Sequence, residues 1–256
     1  MREAASIGVR AHLRATRFCR PGRAEYEVMA ELLHELRLAN ADASYPPIVA
    51  GGRNSCILHY VQNERRTAED DVVLIDAGCE YQGYASDITR TLPVGGRFSA
   101  EQRAVYEVVR EAANAAIEAV RPGNDCHAPH AAAVRVVTRG LVALGLLKGR
   151  PAKLEREEAY KKFFMHGTSH WLGLDVHDVG EYKIRDQWRS LETGMVLTIE
   201  PGIYIPRGTR GVGRRFQGFG VRIEDDVVLT RAGAQVLSAG APRDPDEIEA
   251  LMGSAA

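Results

Sequence analysis

Four carboxylates stand at the ends of apolar runs, where an isolated charge is costly. Asp76 closes Val72-Val73-Leu74-Ile75, Glu200 closes Met195-Val196-Leu197-Thr198-Ile199 before Pro201-Gly202, and Glu224 lies in Val221-Arg222-Ile223-Glu224. Asp87 follows in a second strand-like piece, Tyr84 to Thr89. An ionised carboxylate inside such a strand must be neutralised, paired or bound to a metal. The stretch from Val72 to Thr89 contains no Lys or Arg to pair with Asp76, so the cation is expected from solution. A second cluster, Phe163 to Asp178, holds His166, His170 and His177 among aromatic and aliphatic residues, which is no charged surface face. Beside the acids, these histidines point to a site.

Four carboxylates and one imidazole form a hard, oxygen-rich donor set that suits Mn²⁺, Co²⁺, Zn²⁺ or Fe²⁺. Two divalent cations neutralise four negative charges. Such a pair, about 3.5–4 Å apart, can share a bridging hydroxide and hold an attacked carbonyl with its developing oxyanion. The remaining histidines then serve as proton shuttle and oxyanion donor. Hydrolysis of an amide or ester by metal-bound water follows. Residue chemistry alone leaves open which histidine is the ligand.

These residues need a scaffold. Arg2 to Cys19 and Tyr26 to Leu38 carry apolar residues at helical spacing, and Arg20-Pro21-Gly22 separates them. Ile57 to Tyr60 reads as a short strand ending in His59. Gly78, Gly83 and the spacing to Asp87 place the first two acids on adjacent strand segments. Ser99-Ala100-Glu101-Gln102 is a capping box opening a helix that Pro122-Gly123 stops. A further helix is expected from Val134 to Leu147, with a solvated connection from Lys148 to Lys162. His12, His34, His127 and His130 read as ordinary structural histidines. Period two puts Arg222 and Glu224 on one face and Ile223 and Asp225 on the other. Asp225 and Asp226 read as turn residues outside the site, Pro206 to Gly220 as a mobile connection, and the chain after Pro242 as a fraying tail with a helical piece from Glu247 to Met252.

Composition narrows the classes. The 256 residues carry a formal net charge of −1, which suggests no general nucleic-acid surface. No apolar run approaches the roughly 18–20 residues of a membrane span, and Met1 to Leu13 has no signal-peptide core. The four cysteines are scattered, as in a reduced cytoplasmic protein. A weak internal echo pairs His59, Asp76 and Asp87 with His177, Glu200 and Glu224, as two related α+β halves around a shared cleft would.

Asp76-Ala-Gly, Ser-Asp87-Ile-Thr-Arg-Thr, the run from His166 through His170 to His177-Asp, Glu200-Pro-Gly and Arg222-Ile-Glu224-Asp-Asp occur in this order over nearly the whole chain. Together they resemble the proline-specific metallopeptidases of pita-bread fold, aminopeptidase P most closely. The resemblance implies two pseudo-symmetric halves of curved antiparallel sheet covered by helices. It also implies two metals, usually manganese, bound by Asp76, Asp87, His170, Glu200 and Glu224. Asp76 would hold one metal through both oxygens, Asp87 and Glu224 would bridge the pair, and His170 and Glu200 would complete the other. Glu224 would also serve as general base. His177 would pass a proton and steady the tetrahedral intermediate. His59 and His166 would line the pocket for the substrate's proline, with Tyr204 and Arg222 behind them.

Full-length bacterial members carry a separate N-terminal domain that helps build the subunit assembly. This chain begins where their catalytic domain would begin, so residues 1–256 are expected as one catalytic domain, with 242–256 as a C-terminal tail. A homo-oligomer stays open. The expected substrates are peptides with proline second, with no membrane or nucleic-acid partner. The rivals are a prolidase, which cleaves only Xaa-Pro dipeptides, and a non-catalytic peptide-binding module. Such modules lose the ligands, and here all five are present.

Overall fold

In the computed structural model, which describes residues 1–253, the chain runs twice through two helices and then antiparallel sheet. The first pass opens with α1 (Arg2–Phe18) and α2 (Glu25–Leu38). Ile7, Ala11 and Ala15 of α1 and Val28, Leu32 and Leu36 of α2 are buried, each set on one face of a 3.6-residue period. The strands β1 (Asp42–Ala43), β2 (Ile48–Gly51), β3 (Val72–Ala77), β4 (Cys79–Tyr81), β5 (Tyr84–Ala85) and β6 (Ile88–Pro93) follow. β3 lies between β2 and β6 with both neighbours antiparallel, and all of its residues are buried. A strand covered on both faces reads as the continuous apolar run seen here. Gln82 and Gly83, both at positive φ, turn the β4–β5 hairpin, so β6 returns along β3 with Asp76 opposite Thr89. Gly78 sits against the Ser86 carbonyl and the Ser44 hydroxyl, where a Cβ would overlap both.

The second pass repeats the plan. α3 (Ala100–Ala119) is opened by the expected capping box: Gln102 N donates to Ser99 Oγ at 3.2 Å, and Ser99 N donates to Gln102 Oε1 at 2.9 Å. α4 (Ala128–Ala143) packs on α3 with Gly140 against Val108, too close for any Cβ. After α5 (Pro151–Arg156) come β7 (Lys183–Ile184), β8 (Gln187–Trp188), β9 (Val196–Ile199), β10 (Gly202–Ile205), β11 (Phe219–Arg222), β12 (Asp225–Thr230), β13 (Gly233–Val236) and α6 (Pro245–Gly253). β12 lies between β9 and β13, and β10 pairs with β11, all antiparallel. A backbone bridge between the halves pairs Thr89 with Glu224, whose N donates to Thr89 O at 3.0 Å. Each helix pair covers its own half, and a buried apolar cluster runs through both.

Several expected elements differ. Ile57 to Tyr60 forms no strand; it leaves a 3-10 turn at Gly52–Cys56 and runs irregularly. α4 begins at Ala128 rather than Val134, because Pro129 favours a first helical turn and the alanines offered no apolar contrast to mark the start. The connection after Lys148 contains α5 and a 3-10 turn at Ala159–Lys162. The segment expected as mobile is tied by Gln217, whose amide accepts from Gly208 N and donates to Val212 O, both at 2.7 Å. The expected tail folds as α6 with Ile248 and Met252 buried, and positions 254–256 lie outside the described residues. No helix among the described residues is long and apolar enough to cross a membrane.

Candidate metal centre

The two sheets bring their acids together where they meet. Asp76 lies near the end of β3 and Asp87 just before β6, while Glu200 follows β9 and Glu224 sits between β11 and β12. His170 enters from the loop bridged to β9 at Trp171. Its Nδ1 lies 2.9 Å from the Trp171 carbonyl and donates to it, which turns Nε2 toward the acids. That nitrogen is 3.4 Å from Asp87 Oδ2, 3.7 Å from Glu200 Oε1 and 3.8 Å from Glu224 Oε1. Ligand atoms of Asp87, His170 and Glu224 all lie within 4.8 Å of one another. A cavity of about 440 Å³ opens on this cluster and is also lined by Tyr45, His59, Asp76, His166, His177, Glu200 and Arg222.

The electrostatics are those of acids awaiting a cation. Burial, with the charges of Asp87, Glu200 and Asp76, holds the Glu224 carboxyl well above its usual range. Burial likewise raises Asp87 and lifts Glu200 to about 7. Burial pulls the His170 imidazole down, but its hydrogen bond to Asp87 and the charge of Glu200 outweigh that and hold it at about 9. The like-charged acids and the imidazole of His170 thus titrate as one coupled group.

One sequence argument needs correction. Asp76 does have a cation: Arg222 Nη2 donates to its Oδ2 at 2.5 Å, from the far side of the chain. Arg222 is buried, and its Nη1 donates to Tyr204 OH at 2.9 Å. Tyr204 does not line the cavity; it is buried behind it, 2.8 Å from His166 Nε2. His166 Nδ1 lies 2.6 Å from the Gly167 carbonyl and donates to it, so Nε2 accepts from the tyrosine. Burial and the Arg222 charge keep His166 neutral, down at about 3. His177 packs edge-on to His170 with ring centroids 4.4 Å apart, and burial and the His170 charge lower its pKa. His59 is exposed on the cavity wall.

Sequence reasoning missed three participants. The Tyr45 hydroxyl lies between Asp76 Oδ1 and Asp87 Oδ1 and can donate to either. Thr89 Oγ1 donates to Glu224 Oε2 at 2.6 Å. Asp226 is no turn residue: it is buried in β12, and its Oδ1 accepts the Asp87 amide at 3.0 Å. Asp225 is equally buried in β12 but faces away, as the period of two required. Three acids in succession within an apolar run were the available signal for Asp226. Nothing local marked Tyr45. His130 is structural as expected, with Nδ1 at 2.8 Å from Thr168 Oγ1.

The sequence of residues 1–231 matches the model of metallopeptidase family M24. The chain belongs to that family. As an M24 domain it has the pita-bread fold anticipated above, and it closely superposes on solved members. It is 54% identical to the structure of Pseudomonas aeruginosa aminopeptidase PepP, with a TM-score of 0.99 over 100% of this chain and 58% of that one. It is 49% identical, with a TM-score of 0.97, to zinc-substituted Escherichia coli aminopeptidase P in complex with product, covering 100% of this chain and 58% of that one. Among curated relatives, the Xaa-Pro aminopeptidase of Haemophilus influenzae is 49% identical over 98% of this chain and 58% of its own length. The M24 chain thus spans less than two thirds of the relatives it matches. Its donor set fits a divalent cation: buried, mutually repelling carboxylates and one imidazole present their free oxygens and Nε2 to one small volume.

Proposed function

We propose that this chain is the catalytic domain of a metallo-aminopeptidase that hydrolyses the bond between an N-terminal residue and a following proline. It would use two divalent cations held by Asp76, Asp87, His170, Glu200 and Glu224, manganese first, with cobalt or zinc able to substitute. The observation that carries this reading is the convergence of these five donors, from both halves, on a cavity whose wall also holds His59, His166 and His177. Identity of 49% to the Haemophilus influenzae Xaa-Pro aminopeptidase supports the substrate class.

Bound there, the cations would supply an activated water and a polarised scissile carbonyl. The chain's own groups do the rest. Glu224, fixed by Thr89, accepts the proton that the water loses. His177, kept neutral by burial and the His170 charge and turned into the cavity, would donate a hydrogen bond to the developing oxyanion and relay to the leaving amine the proton that Glu224 has taken up. His166, locked by Tyr204 and Gly167, and exposed His59 flank the proline, whose ring suits the apolar surface of Ile48, Leu58 and Val61. Arg222 holds Asp76 and Tyr204 in place. The four free cysteines suit the reducing cytoplasm.

The test is a paired assay on metal-stripped protein, with Mn²⁺, Co²⁺ or Zn²⁺ added back and an Xaa-Pro-Yaa tripeptide followed beside an Xaa-Pro dipeptide. Metal-dependent cleavage of the tripeptide is expected. Cleavage of the dipeptide alone would make the domain a prolidase, and failure to bind any metal would overturn the reading.

A further inference from the structure

The cavity wall that carries His59 has no regular structure of its own beyond the 3-10 turn at Gly52–Cys56. Its hydrogen bonds converge instead on one buried group outside the cavity, the carboxylate of Glu25 in the first turn of α2. Glu25 Oε1 accepts from Gly51 N at 2.7 Å and from Asn54 Nδ2 at 2.9 Å. Its Oε2 accepts from Tyr60 OH and from Arg65 N, both at 2.8 Å. These donors sit at both ends and in the middle of the segment 51–65. A carboxylate can accept about four hydrogen bonds, so Glu25 is saturated. The α2 N-terminus favours its charge. On the far side, Asn63 closes the segment by accepting from Val49 N and donating to Pro47 O, each at 2.8 Å.

The tie at Tyr60 matters most. Tyr60 is drawn inward to 7% exposure, while the preceding His59 is exposed on the cavity wall. The Tyr60 ring packs with Ile48, Ala50, Leu74 and Tyr204, and its hydroxyl is the bond to Glu25 made from the stretch between Ser55 and Asn63, which includes Leu58, His59 and Val61. Glu25 itself lines no part of the cavity.

We propose that Glu25 is the positioning residue of the proline-side wall, fixing where His59 stands and through it how tightly the peptide is held. This rests on the proposed role of His59 in the substrate pocket. Glu25 touches neither substrate nor metal donors, so it governs binding rather than the chemical step.

The experiment uses the metal-loaded full chain. Glu25→Gln keeps the shape but sets an amide NH₂ against donors that faced oxygen. The expected result is a KM for an Xaa-Pro-Yaa tripeptide raised about tenfold, with kcat within about twofold. Tyr60→Phe removes one of the four bonds and raises KM about threefold; it carries the same comparison should Glu25→Gln fold poorly. On a His59→Ala background, Glu25→Gln adds less than about twofold, because the two act through one element. The amide of Ile57, which donates to Asn54 O within the wall, exchanges about tenfold faster in the variant, while β3 and β6 are unchanged. An unchanged KM, or the same loss with and without His59, overturns the inference. Unchanged exchange at Ile57 overturns it independently of catalysis. Should His59→Ala alone leave KM unaltered, it is the pocket assignment of His59 that falls, and the exchange measurement still judges the anchoring by Glu25.

Discussion

Glu224 and Asp225 are neighbours in the chain, 2% and 0% exposed, and they face opposite ways. Glu224 looks into the cavity at Asp87, Glu200 and Asp76, and burial with these like charges raises its pKa. Asp225 looks behind the sheet, where Arg90 Nη2 lies at 2.7 Å, Arg243 Nη1 at 3.2 Å and the Ser238 hydroxyl at 2.6 Å. Burial pushes Asp225 up too, but the two arginines outweigh it and hold it below its usual range. The back side matches its buried charge internally; the cavity side leaves its charge for a guest. Burial alone therefore does not separate structural acids from functional ones, but the sign of the surrounding charge does.

The largest test swaps the roles. Asp87→Asn or Glu224→Gln should cut peptide hydrolysis by at least about 10³-fold, since each removes a donor and with it the cation's stabilisation of the transition state. The same changes relieve repulsion, so the metal-free variants should melt no lower than the metal-free parent, and added Mn²⁺ should no longer raise their Tm. Near-parental turnover would break the assignment of the cavity acids.

On the back side the effect falls on stability. Arg90 is 2% exposed, and its Nε, Nη1 and Nη2 also donate to backbone carbonyls, including that of Glu224 at 2.6 Å. Arg90→Met should cost about 3–5 kcal/mol in urea unfolding by stranding the charge of Asp225. A cost near zero would mean that Arg243 alone balances Asp225.

A gentler test uses acid. His12 lies behind β3, Nε2 at 3.1 Å from the Ala77 carbonyl, and burial lowers it from 6.5 to about 4. The folded protein thus binds this proton less readily than the unfolded chain. The contribution is fully present above pH 6.5 and is lost as pH falls through about 4. Relative to His12→Gln, the parent should lose about 3 kcal/mol between pH 7 and 4. Parallel stability curves for the two proteins would show that His12 carries no such load.

Much of the site was legible because its signals were local. Apolar runs ending in Asp76 and Glu200 report a strand and a carboxylate without a local cation in the same few residues, and the aromatic and aliphatic neighbours of His166, His170 and His177 argue against a charged surface face. What stayed hidden depends on pairing at a distance. Arg222 meets Asp76, and Asp226 meets Asp87, only once the two sheets are docked. Tyr45 sits in a Pro-Pro loop with no periodicity to read. Ile57 to Tyr60 shows the reverse error: β-branched and aromatic propensity suggested a strand, but Ile57 N closes the 3-10 turn on Asn54 O and Glu25 draws the Tyr60 hydroxyl inward.

The bridge between Thr89 and Glu224 carries one more consequence. Together with the bonds of Arg222 to Asp76 and of Asp226 to the Asp87 amide, it brings the acids of one half against those of the other, so neither half folded alone possesses the full donor set. Association of the cation then becomes the last clasp of tertiary assembly, and its affinity is spent partly on holding the halves shut. The donor set is completed only when both sheets have closed on each other, so completing the fold and completing the centre are a single event.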